Sequence, residues 1–282
     1  MNRSVRALAF LAVLAMLFGA VGCNKLKARD QLNKGVQSFK NAKFEEAIEH
    51  FKNAVSLDPS LLTARLYLGT AYMQQYIPGA DTPENNRNAE LAIAEFKTVL
   101  DSPSPTKEQQ LHGLKSIAFL YYNMKNFDKS RDYYRQATKV DPNDPEIFYM
   151  IGVLNWVDTY KTAADSKAKI GLKVDDEFKK SKEDLKVCAE VRAANEAKIN
   201  EGFAALNSAL KLRPEYEDAM VYMNLLYRRK ADTECGDPKT RMADLKMADQ
   251  WSEKNMATRK IKAEKKQQQQ PGGIVLEQQS GK

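Results

Sequence analysis

Small and bulky side chains recur in this chain at a spacing that suits paired helices. In Leu32 to Pro59, LNKGVQSFKNAKFEEAIEHFKNAVSLDP, Gly35 allows two helix backbones to approach closely, and Phe39 and Phe44 fill the turn side. Ala47, Phe51 and Ala54 follow at i, i+4 and i+7, the stripe of a helix with one buried face. Pro59 disfavours the α region at Asp58 and so ends the second helix. Leu111 to Pro142 repeats the series with Ala118, Tyr121, Phe127, Ser130, Tyr134, Ala137 and Pro142. From Gly35 to Ala47 is 12 residues and from Ala118 to Ser130 is also 12, so the two segments share one unit length.

This series of small residue, aromatic, alanine, aromatic, alanine and proline resembles the tetratricopeptide repeat. The resemblance implies an all-α fold, an α-solenoid of about five helix hairpins with one continuous core over residues 23–262. Only 13 Gly and 10 Pro in 282 residues, mostly outside the periodic segments, agree with helices throughout. Two units depart from the spacing. In the second, Gly69 to Ala92 is 23 residues, placing an insertion near 75–88; Thr82 is expected as N-cap and Pro83 as the first helical residue. A tolerated surface insertion and a binding loop both fit it. In the fourth, Gly152 to Gly202 is 50 residues, placing an insertion near 158–200. Its Lys-, Glu- and Ala-rich part from Asp176 to Asn200 is expected as a solvated helix that lengthens the hairpin, with Asp175, Asp176 and Glu177 at its start. A last helix is expected from Pro238, capped by Asp237, with Met242, Leu245, Ala248 and Trp251 on its inner stripe and residues 263–282 as a disordered tail.

The first residues have a different logic. Arg3 and Arg6 precede an apolar run from Ala7 to Phe18 and then Gly19-Ala20-Val21-Gly22-Cys23. Small residues before a cysteine resemble the lipobox of bacterial lipoproteins, which implies a signal peptide over 1–22 and a lipid on Cys23. Ala20 stands where that family usually has Leu. Cleavage without lipidation and a retained anchor are the competing readings, the latter disfavoured because a span needs ~20 apolar residues. Asn24 in place of Asp favours the outer membrane within a periplasmic cell-envelope location. Cys188 and Cys235 remain, an even number in an oxidising compartment, on hairpin connections that stacking brings to one edge. A disulfide between them is expected, with two free thiols as the alternative.

The net charge of +7 does not mark a nucleic-acid binder. Arg3, Arg6 and the lysine-rich end after Arg259 hold most of it, and the body mixes both signs. His50 and His112 have no second ligand at metal spacing, and the chain has no Gly-rich phosphate loop and no nucleophile elbow. No catalytic residue, metal or cofactor is therefore expected.

In the repeats this chain resembles, first helices line a concave face that holds peptide or helix segments of partner proteins. Carried onto this sequence, that face comprises Phe39, Leu66, Thr70, Met73, Lys115, Phe119, Tyr122, Tyr149, Trp156, Arg228 and Arg229. Where some members clamp a terminal carboxylate with Lys and Asn, this chain has Leu32, Val36, Thr70 and Phe119, with Lys115 alone matching. The expectation is a non-catalytic, lipid-anchored scaffold for a protein partner in envelope assembly, secretion or pilus biogenesis. A carrier of a small apolar ligand in the same groove is the alternative.

Overall fold

A computed structural model describes residues 23–178 and 181–268. The signal segment expected over 1–22 and the tail beyond residue 268 lie outside the described residues. Among the described residues there are helices, turns and bends and no strand. They run as α1 (residues 23–40), α2 (Phe44–Leu57), α3 (Leu62–Gln75), α4 (Pro83–Leu100), α5 (Lys107–Asn123) and α6 (Phe127–Val140), followed by α7 (Pro145–Ala168), α8 (Lys182–Leu212), α9 (Glu217–Ala231) and α10 (Pro238–Gln268). The chain divides into two compact units, Met1–Pro142 and Asn143–Lys282; each helix from α2 to α6 packs on the next in the first unit, and each from α7 to α10 in the second.

In the first unit the repeat positions meet as their spacing requires. A β-carbon at Gly35 would fall 2.5 Å from the Phe51 ring, and one at Gly69 would fall 2.9 Å from the Phe96 ring. Glycine is therefore demanded by the aromatic of the second helix. In the third hairpin the small residue is Ala118, and Ser130, 12 positions on, donates its hydroxyl to the Ala118 carbonyl at 2.8 Å. Phe51, Phe96, Ile117 and Leu120 are fully buried in one cluster with Leu66 and Tyr72. First helices α3 and α5 also touch each other, which makes them the inner layer of this unit. Local chemistry sets the ends. Thr82 caps α4 ahead of Pro83, and Thr106 with Gln109 forms a capping box on α5.

The turns of the first and third hairpins each hold a non-glycine residue in the left-handed region, Ala42 and Lys125, both with φ 58°. Each lies 7 positions after its small residue, Gly35 or Ala118. The insertion of the second hairpin is a compact turn built on Asn85. Its amide accepts from the Ile77 N–H at 2.7 Å and donates to the Ile77 and Ala80 carbonyls at 2.9 and 2.7 Å. Asn85 is buried under this exposed turn, and a buried amide needs such partners.

The second unit differs from expectation in three places. The insertion does lengthen both arms, giving α7 24 residues and α8 31. However, α8 starts at Lys182 under a Ser181 cap, so Asp175, Asp176 and Glu177 belong to the preceding loop. Nor is α8 solvated all round: Cys188, Val191, Asn195 and Ile199 are buried, a stripe at i, i+3, i+7 and i+11 that the surrounding charge conceals. In α10, Ala248 is buried but Met242 is 61% exposed, and the helix runs on through residue 263 to Gln268. Met220, Met223, Leu206 and Leu226 centre the core of this unit, with Gly152 and Gly202 lying against Leu206 and Leu226.

Candidate functional site

The inner helices α3 and α5 enclose a cavity of about 430 Å³ lined by Thr63, Leu66, Tyr67, Thr70, Glu108 and His112, with the capping pair Thr106 and Gln109 at one end. Its polar groups are ordered by one hydrogen-bond chain. The Thr70 hydroxyl donates to the Leu66 carbonyl at 2.7 Å, an i to i−4 bond within the helix. That hydroxyl has one proton, so towards His112 Nε2, 3.2 Å away, it accepts. Nε2 therefore carries the hydrogen. The His112 ring lies 5.7 Å from Phe96, and the loss of water on that side holds its pKa below the ordinary value although Glu108 pulls it up. A neutral imidazole faces the groove.

Further along α5 the surface turns apolar. Phe119 is 45% exposed, Tyr122 is half-buried against Phe127 with ring centroids 6.1 Å apart, and Met73 of α3 is half-buried against the core. Phe39 rests edge-on against Phe44 at 5.3 Å. Leu66 is only 7% exposed, so it serves the core and closes the cavity floor at once. Lys115 is half-buried and already engaged within the chain.

In the second unit the proposed groove residues are occupied with their own neighbours. Tyr149 meets Tyr216 at 5.0 Å and Tyr222 at 5.6 Å, and Trp156 meets Tyr222 at 5.5 Å and Tyr160 at 5.4 Å. This aromatic cluster joins α7 to α9 and leaves Tyr149 and Trp156 half-buried. Arg228 pairs with Asp249 of α10 at 3.1 Å. Arg229 is 8% exposed and pairs with Asp175 and Asp232, so it is an interior charge rather than a groove lining.

That interior charge belongs to a cluster for which sequence reading had no signal. Lys167 is fully buried, donates to the Val174 and Asp176 carbonyls at 2.8 Å each, and stands 3.6 Å from Asp232. Burial pushes the Lys167 pKa down and the Asp232 pKa up, against the attraction between them. Beside it Cys188 and Cys235 form a disulfide that ties α8 to the α9–α10 turn. Arg192 fastens the same turn through the Thr233 carbonyl and Glu234. Cys23 is a free, exposed thiol.

Residues 37–75 match the family described as TPR repeat, and residues 112–144 match the family described as Tetratricopeptide repeat. A crystal structure of MamA protein superposes with a TM-score of 0.51 at 15% identity, covering 82% of this chain and 94% of that one. The chain is a tetratricopeptide-repeat protein. Such repeats make it a protein-interaction scaffold, of a family that is typically non-catalytic. The repeat chain is 31% identical over 120 residues to the Hsp70-Hsp90 organizing protein of Triticum aestivum and 29% identical over 137 residues to Hsp70-Hsp90 organizing protein 3 of Arabidopsis thaliana. Those matches cover 43% and 49% of this chain but only 18% and 22% of the relatives, so it spans about a fifth of their length.

Proposed function

We propose that this tetratricopeptide-repeat protein is a lipid-anchored scaffold on the periplasmic side of a bacterial envelope, holding a segment of a protein partner in the groove between α3 and α5. The observation that carries the binding role is the solvent-facing stripe of α5, where Phe119 stands 45% exposed two turns along from the cavity lined by Thr70 and His112. An exposed aromatic beside directional hydrogen-bonding groups suits an extended or helical segment. The name of the plant relatives, an organizing protein for two others, fits a chain that positions a partner rather than transforms it. The anchor rests on Gly19-Ala20-Val21-Gly22-Cys23 and on Cys23 being unpaired. Tethering at a membrane raises local concentration for partners there, which fits envelope assembly, secretion or pilus biogenesis.

Two measurements test this. Metabolic labelling with a radiolabelled fatty acid should mark the wild-type chain and leave Cys23→Ser unlabelled and released from membranes; labelling of that variant overturns the anchor. Crosslinked capture from envelopes should recover a protein that Phe119→Ala loses. Recovery of a small apolar molecule in its place supports the carrier function instead.

A further inference from the structure

Resting on the groove reading, the geometry points to the chemistry of the segment held there: we infer that it presents a basic side chain towards Glu108 and an apolar one towards Phe119. Glu108 is the single fully charged side chain lining the α3–α5 cavity among the described residues, because His112 is neutral with Nε2–H committed to Thr70. Thr106 and Gln109 accept each other's backbone N–H groups in the capping box and leave only neutral donors, a hydroxyl and an amide, to a ligand carboxylate. A carboxylate entering this end of the groove meets like charge, and the cation on the same face, Lys115 two turns further along, is already engaged within the chain. A lysine or arginine meets an acceptor.

Glu108 also sits in the first turn of α5, where the helix dipole favours its charge. The exposed carboxylate forms no ion pair with Lys or Arg among the described residues and is open to a ligand. Residues 108, 112 and 119 share one face of α5, because offsets of 4 and 11 return to within about 40° on a helix of 3.6 residues per turn. Eleven residues at about 1.5 Å rise put Phe119 about 16 Å from Glu108 along the axis. An extended chain rises about 3.3 Å per residue and alternates faces, so two side chains four positions apart span about 13 Å on one side, and a lysine's reach covers the rest.

The test uses the full chain and blocked peptides, Gly-Ser-Xaa-Ser-Ser-Ser-Leu-Ser-Gly, with Xaa as Lys, Gln or Glu, measured by fluorescence polarisation at low ionic strength. Affinity should fall in the order Lys, Gln, Glu, with roughly fivefold between the ends, shrinking as salt is added. Glu108→Gln should flatten the order and Glu108→Lys should reverse it, while Phe119→Ala weakens all three peptides alike. Both side chains are exposed, so the variants keep the wild-type far-UV circular dichroism. An order that ignores residue 108, or a Glu peptide that binds best, overturns the inference alone when Phe119→Ala still weakens binding. If no peptide binds, or Phe119→Ala changes nothing, the groove reading falls with it.

Discussion

The first unit keeps the repeat and the second stretches it, and their interiors differ accordingly. In the first, the buried polar side chains are Ser38, Asn85, Ser116, Ser130 and Arg131: small hydroxyls at helix crossings, one arginine, and one amide at the insertion. In the second they are Asn155, Thr159, Lys167, Asn195, Arg229, Thr233, Asp244 and Asn255. Several lie where the spacing is broken. Asn195 donates to the Thr159 carbonyl at 3.1 Å and Asn155 to Glu201 at 3.1 Å, so the lengthened α7–α8 hairpin is registered by specific hydrogen bonds. A unit that keeps its spacing relies mainly on size complementarity, such as Gly35 against Phe51, and on a short hydroxyl bond such as Ser130 to Ala118. Added helix length has no inherited partner, and polar pairs, a buried cation and a disulfide set its register.

The largest expected effect tests that difference directly. The disulfide closes a separation of 47 residues, and replacing both cysteines by serine should destabilise the second unit by about 4 kcal/mol on loop-entropy grounds. Hydrogen exchange resolved by segment should show α8 to α10 losing protection and α2 to α6 keeping theirs. Equal loss in both units would erase the contrast. Next, Lys167→Met leaves Asp232 buried with less compensation and should cost about 3 kcal/mol in urea denaturation. Asn85→Ala removes three hydrogen bonds from the one irregular turn of the first unit and should cost about 2 kcal/mol. If it costs nothing, a buried amide is not what holds an inserted turn in place.

Smaller effects sharpen the picture of the regular unit. Lys125→Gly relieves a left-handed non-glycine residue at the price of a looser unfolded chain and should stabilise by about 0.5 kcal/mol in thermal melts. His112 has its folded pKa below the ordinary 6.5, so its contribution is complete above that value and is lost as pH falls through it. Between pH 7 and pH 5 the wild type should therefore lose slightly more stability than His112→Gln, and the opposite sign would contradict a neutral imidazole.

Much of the fold was legible because it repeats. Gly35, Phe51, Ala118 and Ser130 announce a hairpin by spacing, and Thr82-Pro83 and Asp237-Pro238 announce helix starts by local chemistry alone. The surroundings of the inner-helix residues were legible only in part. Phe119 is exposed, but stripe position could not say that Tyr149 and Trp156 have ring partners in α9, because it does not reveal what a neighbouring helix offers.

By itself, then, the amino-acid sequence determined the helix pairs, the small-residue positions where they approach and the caps at Thr82 and Asp237, all of which depend on residues one or two helices apart. The Cys188–Cys235 bridge, expected from the pairing of two cysteines on adjacent connections, is present; tertiary structure alone decided the buried stripe of α8, the pairing of Lys167 with Asp232 and the tautomer of His112. The reason is physical. Whether a charge or a thiol is buried depends on the particular surface packed against it, and that surface comes from distant parts of the chain whose approach no local pattern encodes.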